Sequence, residues 1–155
     1  MASRLQAELR QTKPFSPEEE VFVSLARTAS LAEYGFAEVL KPHGITPTQY
    51  NVLRILRGAG ANGLCRNKVR DRLVARVPDA TRLLDRMADQ GLLTRDRDGA
   101  DRRFVSTHLT AKGLELVNTL DRPVREFHRS RLGRIPRAKI ALLLELLADL
   151  RERAG

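Results

Sequence analysis

The 155-residue sequence has little cysteine, few aromatic residues and no long hydrophobic run. Its single cysteine, Cys65, excludes an intramolecular disulfide and a zinc site built from several cysteines. Tryptophan is missing and aromatic residues make up 5% of the chain, so a core must consist mainly of Leu, Val, Ile and Ala. No apolar run approaches the roughly 20 residues of a membrane-spanning helix, and the polar segment 1–12 does not resemble a signal peptide. We therefore expect a soluble, cytoplasmic protein with no membrane partner.

Basic residues, in contrast, are abundant and are nearly all arginine. The chain contains 28 Lys and Arg against 19 Asp and Glu, for a net charge of +9; five of the 28 are lysines, which leaves 23 arginines. Such a charge favours a polyanionic partner, and the guanidinium group forms bidentate hydrogen bonds with phosphates and guanine edges. A base composition of the genome that favours arginine everywhere is the alternative, so the positions of the arginines must decide.

Hydrophobic spacing and end signals predict six helices and two strands. Ser16 with Glu19, and Thr46 with Gln49, have the spacing of capping boxes at helix starts. Predicted helices cover about 16–41, 46–58, 67–74 and 78–91, a fifth begins at 110 and the last covers 136–153; predicted strands cover 92–95 and 103–109. This order indicates a mainly α fold with a small β-hairpin wing, a winged helix-turn-helix flanked by N- and C-terminal dimerisation helices.

The last helix provides the argument for a dimer. Its apolar residues occupy more of the helix surface than the roughly 100° stripe that one buried face requires: Ile140, Leu142, Leu143, Leu144, Leu146, Leu147 and Leu150. A partner subunit would cover the excess, whereas in the alternative the flanking helices bury it within one chain. We divide the chain into a flexible N-terminal arm (1–14), an N-terminal dimerisation helix (15–44), a DNA-binding domain (45–109) and C-terminal dimerisation helices (110–155).

The fourth predicted helix has one apolar and one arginine-bearing face. Ala80, Leu83, Leu84 and Met87 fall on the first, whereas Arg82 and Arg86 lie one turn apart on the second, where they can contact successive base edges or phosphates. Pro78 is expected at the first helical position, where the free amides of the first turn suit a phosphate. The alternative is a solvated face on which Arg82 pairs with acidic neighbours.

The predicted hairpin is rich in arginine as well. An arginine at a hairpin tip can enter a narrow minor groove, and Asp101 is expected to pair with a neighbouring arginine and order the tip. The alternative is a charged hairpin whose exposed ion pairs contribute little. Together, helix and hairpin give the residues that we expect to contact DNA: Asn67, Pro78, Asp79, Thr81, Arg82, Arg86, Arg95, Arg97, Arg102 and Arg103.

Five segments in this order resemble the MarR family of bacterial transcriptional regulators, over residues 17–153. They are Ile45-Thr46-Pro47-Thr48-Gln49-Tyr50-Asn51-Val52-Leu53, Val77-Pro78-Asp79-Ala80-Thr81-Arg82-Leu83-Leu84-Asp85-Arg86-Met87, Gly91-Leu92-Leu93-Thr94-Arg95, Asp101-Arg102-Arg103 and Leu109-Thr110-Ala111-Lys112-Gly113. The resemblance implies a homodimeric winged-helix regulator, usually a repressor. It also implies release from DNA when a small, often aromatic or phenolic, ligand enters the cleft between the dimer helices and the winged domain.

The sequence thus predicts a sequence-specific transcriptional regulator, a repressor that binds a pseudo-palindromic operator as a homodimer and is released by a small-molecule effector. We expect no enzyme activity, no cofactor and no metal site, because His43, His108 and His128 are scattered and have no cysteines nearby. The residues of the effector site are not assigned. Two alternatives remain open: a sequence-tolerant nucleoid or RNA-binding protein, and an adaptor whose winged domain has lost DNA binding.

Overall fold

A computed structural model describes residues 3–97 and 105–153, and in them the predicted mainly α fold with a small wing sheet is confirmed. The α-helices in this part of the chain are α1 (Arg4–Glu8), α2 (Pro17–Leu40), α3 (Pro47–Ala59), α4 (Arg66–Asp71), α5 (Ala80–Asp89), α6 (Ala111–Leu132) and α7 (Arg137–Glu152). The strands are β1 (Leu64–Cys65), β2 (Leu93–Arg97) and β3 (Val105–Leu109). Short 3-10 turns follow α2 and α3.

Two capping boxes start α2 and α3, as predicted. The Ser16 hydroxyl accepts a hydrogen bond from the Glu19 amide at 3.2 Å, and the Glu19 carboxylate accepts one from the Ser16 amide at 2.8 Å. The same reciprocal bonds join Thr46 and Gln49, at 3.2 and 2.9 Å. A proline follows each cap at the first helical position, where it removes no helical hydrogen bond. Each cap contributes on the order of 1 kcal/mol to helix stability.

The core lies where α3, α5 and the sheet pack against α6 and the end of α2. It is almost entirely aliphatic, as the composition requires, and its largest inaccessible side chains are Leu40, Leu53, Leu56, Leu84, Met87 and Leu120. Tyr50 is the aromatic member, and the ring of Phe36 packs edge-on against it with centroids 5.4 Å apart. The helix-turn-helix therefore shares one apolar core with α6 and the end of α2, and this core holds α5 by its buried side chains.

The three strands form an antiparallel sheet in the order β1-β3-β2, with β3 in the centre. Leu93 pairs with Leu109, Arg95 with Thr107 and Arg97 with Val105, while Leu64 pairs with Thr107 from the other side. Strand β1 was not predicted, because two residues are too few to show a period-two pattern.

Several element boundaries differ from the predictions, and β2 covers 93–97 instead of 92–95. Within the expected flexible arm, Arg4–Glu8 forms a short helix with Ser3 as its N-cap, and Leu5 is buried. The third predicted helix ends at Asp71 instead of residue 74, with Arg72 as its C-cap. The fourth starts two residues later than predicted, at Ala80. Local patterns place helix ends only to within a few residues.

Helix α7 has no buried residue in the single chain. Its side chains Leu142, Leu143, Leu144 and Leu146 are between 48% and 62% exposed, and Phe22, Leu31 and Tyr34 of α2 are more than half exposed. The alternative in which the flanking helices cover this surface within one chain is therefore wrong for the described residues. Although α7 is rich in leucine, none of the helices described is long and apolar enough to cross a lipid bilayer.

Candidate nucleic-acid interface

Helix α5 presents the two faces that the sequence predicts. Ala80, Leu84 and Met87 are buried in the core, and Arg82 and Arg86 are exposed on the opposite side. The described residues thus hold α5 by its apolar face and leave its arginine-bearing face exposed to solvent.

The start of α5 corrects one prediction. Pro78 was expected at the first helical position, but Asp79 is the N-cap and Ala80 the first helical residue. The carboxylate of Asp79 accepts a hydrogen bond from the Arg82 amide at 2.9 Å, which a proline cannot do because its side chain has no acceptor. Pro78 therefore precedes the cap. The amide of Arg82, one of the first-turn amides that were expected to face a phosphate, instead donates its hydrogen bond to the carboxylate of Asp79.

Arg82 pairs only loosely with the cap residue. Its Nε atom lies 3.9 Å from Oδ2 of Asp79, and the Arg82 side chain is 86% exposed. An ion pair at this distance on the surface contributes little to stability. The Arg82 guanidinium therefore keeps its donors available for phosphate or base edges.

Arg66, which the sequence analysis did not select, links α4 to α5. One terminal nitrogen of its guanidinium donates to the Thr81 hydroxyl at 3.0 Å, and the other lies 3.4 Å from the side-chain oxygen of Asn67. Thr81 and Asn67, both predicted to contact DNA, thus lie on one exposed surface with Arg66 between them. The sequence did contain a signal for Arg66, because this arginine directly precedes Asn67, the residue at which we predicted the helix to begin.

Arg95 differs from the other predicted DNA contacts. Its guanidinium forms an ion pair with Asp85 on α5, and its side chain is only 23% exposed, against 53% for Asp85. The period of the strand explains this, because Arg95 lies two residues from the buried Leu93 and shares its face of the sheet.

The predicted wing residues Asp101, Arg102 and Arg103 lie outside the described residues, and their roles stay predictions. The backbone of Arg97 ends β2 opposite Val105. Residues 98–104 therefore connect two antiparallel strands, as a hairpin requires.

A cluster of hydrogen bonds holds the end of α5. Gly91 takes a positive φ of 72° after the helix, and the Leu92 amide donates to the Met87 carbonyl at 3.0 Å, which is the Schellman pattern that favours glycine. Lys112 of α6 donates from Nζ to the Gln90 carbonyl at 2.8 Å, and the buried Gln49 donates to the Gln90 side chain at 3.2 Å.

A groove of about 520 Å³ lies beside this cluster, lined in part by His43 and Lys112.

A bidentate ion pair joins α3 to α6. Both terminal nitrogens of Arg57 donate to the Asp121 carboxylate at 2.9 Å, and one also donates to Asn118. The hydrogen bonds from Arg57 lower the pKa of the Asp121 carboxyl, partial desolvation opposes this, and the positive charges of Arg57, Arg54 and Arg125 add to the lowering. The pKa of Arg57 is raised by the same hydrogen bonds. The pair therefore connects the helix-turn-helix to the flanking helix in its fully charged form.

Comparison with known proteins agrees with this architecture. A model of the MarR family matches residues 43–103. The HTH-type transcriptional regulator YkoM of Bacillus subtilis, itself uncharacterised, is 34% identical over 80 residues, which make up 52% of this chain and 51% of that protein.

Solved structures match over most of the chain. A MarR transcription factor from Planctomyces limnophilus is 34% identical, with a TM-score of 0.68 over 88% of this chain and 98% of that one. The transcriptional repressor CouR, bound to a 23-mer DNA duplex, is 27% identical, with a TM-score of 0.73 over 83% and 89% of the two chains. BpsR of Bordetella bronchiseptica, from a study of how 6-hydroxynicotinic acid regulates its DNA binding, is 24% identical, with a TM-score of 0.75 over 90% and 98%.

Proposed function

Because this chain belongs to the MarR family of winged helix-turn-helix, DNA-binding transcriptional regulators, we propose that it is a sequence-specific repressor. It binds a pseudo-palindromic operator as a homodimer in the cytoplasm, and a small-molecule effector releases it. The observation that carries this proposal is α5, whose apolar face is buried while Arg82 and Arg86 stay exposed on the other. CouR, a repressor with the same fold, was solved on a DNA duplex, which supports the assignment.

In this proposal α5 lies in the major groove, and Arg82 and Arg86 contact base edges or phosphates. Arg66, with Asn67 and Thr81, binds the backbone beside it. Arg97, Arg102 and Arg103 reach the neighbouring minor groove, with Asp101 ordering the hairpin that carries them. Pro78 and Asp79 lie at the entrance to α5, close to the same backbone.

The dimer interface consists of α2, α6 and α7, within residues 15–44 and 110–155. Four leucines of α7 are exposed in the single chain, along with Phe22 and Leu31 of α2. An apolar surface of this kind marks an interaction site. A two-fold axis through it would place two α5 helices about 34 Å apart, one turn of the DNA helix.

The effector proposal is supported by the fold and by the groove beside the end of α5. BpsR, which shares the fold, comes from a study of its regulation by 6-hydroxynicotinic acid. The groove here, at about 520 Å³, has the volume of a small-molecule site. A ligand bound there would lie beside the Lys112–Gln90 hydrogen bond that holds the end of α5.

The test is a selection of duplexes from a random pool by the full chain, followed by a gel shift of the selected sequence. We expect a palindromic consensus bound about 10³-fold or more tightly than random duplex, and a dimer mass by analytical ultracentrifugation. Selection without a consensus, or a specificity ratio near one, would contradict the proposal and favour the sequence-tolerant nucleic-acid-binding alternative.

A further inference from the structure

Arg95 lies on the core-facing side of the sheet, opposite Thr107 of β3. On the same face of the sheet, Leu93 pairs with Leu109. Leu93 is buried and Leu109 is half-buried. Thr107 itself is inaccessible to solvent. An arginine at such a position is costly to desolvate unless its donors are satisfied inside the protein.

Asp85 of α5 accepts a hydrogen bond from one of these donors. A terminal nitrogen of the Arg95 guanidinium donates to Asp85, which lies three residues after Arg82 and immediately before Arg86 on the helix. The pair has no net charge. Its contribution to DNA binding therefore differs from that of an unpaired surface arginine, which attracts any phosphate backbone.

A second donor of Arg95 and a hydroxyl of the opposing strand have no partner among the described residues. Nε of Arg95 and Oγ1 of Thr107 are both buried, and within residues 3–97 and 105–153 neither has a hydrogen-bond partner. Directly opposed residues of an antiparallel pair have Cβ atoms about 4.5–5.5 Å apart. A donor and an acceptor so placed suit one bridging water, and buried polar atoms are nearly always satisfied by protein or water.

We propose that Arg95 is a positioning residue that fixes α5 against the sheet, through Asp85 on one side and a water-bridged Thr107 on the other. The inference rests on the proposed function, because what Arg95 positions is the DNA-binding face of α5. Loss of this link is expected to lower the sequence specificity of DNA binding more than the affinity for DNA of any sequence. Loss of the link lets α5 rotate or shift on its apolar face, which impairs contacts with particular bases more than contacts with the uniform backbone.

The experiment compares Asp85→Asn, Arg95→Met and Arg95→Lys with Arg82→Met as the control for a direct contact. Fluorescence anisotropy over a salt series gives the affinity of each full-length variant for the selected duplex and for a scrambled duplex. We expect each of the first three to lower the ratio of the two affinities about tenfold. The salt dependence of Arg95→Met should equal that of the wild type, and Asp85→Asn combined with Arg95→Met should be no worse than either alone.

A direct phosphate contact by Arg95 predicts a different result. Arg95→Met would then weaken binding to both duplexes equally and lower the slope of log affinity against log salt by about one, while Arg95→Lys would retain most of the affinity. Either that pattern or an unchanged affinity ratio in Asp85→Asn overturns the proposal. If Arg95→Met does not fold, Asp85→Asn and Arg95→Lys decide, since Asp85 is half exposed.

Thr107→Val, with Thr107→Ser as its control, tests the second link. Valine should lower the affinity ratio in the wild-type background and have no further effect in Arg95→Met, whereas serine retains the acceptor and the ratio. An additive effect of valine in both backgrounds overturns the link to Thr107. A wild-type protein that binds both duplexes equally overturns the proposed function itself, and this inference with it.

Discussion

The helix-turn-helix and α7 use the same kind of side chain for different purposes. Leucines of α3 and α5, such as Leu53 and Leu84, are fully inaccessible within one chain. Leucines of α7 form no part of the core, and Leu144 is 62% exposed. The first set forms the core of the single chain, whereas the second stays exposed, where the proposed homodimer would cover it. Apolar spacing predicts both helices equally well, and only the surroundings separate their roles.

The same leucine-to-alanine substitution in both regions tests most directly whether their leucines have different roles. Leu84→Ala should lower the free energy of unfolding by about 2–5 kcal/mol, because the packed core cannot close the cavity. Leu144→Ala should change the stability of a monomer by about 0.5 kcal/mol or less, yet weaken the dimer. Urea unfolding at several protein concentrations measures both. Equal destabilisation by the two variants at concentrations where the protein is monomeric would contradict the distinction.

A second pair of substitutions sharpens the comparison within the DNA-binding half. Arg82→Ala should reduce discrimination at one base pair by about 1–3 kcal/mol. Arg102→Ala should instead weaken binding to all sequences and lower the salt slope by about one. Affinities for a set of single-base operator variants at several salt concentrations separate the two outcomes. Arg122→Ala, on the exposed surface of α6, serves as the control and should leave specificity unchanged; identical behaviour of Arg82→Ala and Arg102→Ala would refute separate roles.

The smallest expected effect concerns the ion pair between Arg57 of α3 and Asp121 of α6. Since Arg57 lowers the pKa of Asp121 in the folded chain, the pair stabilises the fold above the ordinary carboxyl pKa of about 3.9. That contribution is lost as the pH falls through the lowered value. With the Asp121 side chain 41% exposed, solvent screening limits the effect to about 1 kcal/mol or less.

Thermal unfolding between pH 7 and pH 2 measures this contribution. Asp121→Asn should remove part of the loss of stability on acidification, whereas Glu126→Gln, in an exposed pair on the same helix, should change it less. The same pH profile for Asp121→Asn and the wild type would show that the pair does not stabilise the packing of α3 on α6.

Local signals predicted much of the winged half. The capping boxes of Ser16 and Thr46 formed because each requires only residues within one turn. The separation of Leu84 and Met87 from Arg82 followed from the helical period alone. Pro78 was misplaced because Asp79, a competing cap one residue later, has the acceptor that the first-turn amides need.

The arginines show where local signals end. Arg66 and Arg95 are both basic residues near the predicted interface, and neither their charge nor their place in the sequence distinguishes them. The register of β2 with β3 brings Arg95 beside Thr107, and the packing of α5 on the sheet brings it to Asp85. A link between residues on different elements depends on register and packing, which no window of sequence contains.

The sequence by itself determined that this chain has a winged helix-turn-helix with a basic face, because helical and strand periods and capping are properties of neighbouring residues. Only the tertiary structure decided which arginine is exposed and which is largely covered, and which leucines the chain covers itself. Burial depends on every element that surrounds a side chain. For that reason the exposed leucines of α7 and the ion pair of Arg95 with Asp85 became visible only once the helices and strands were packed together.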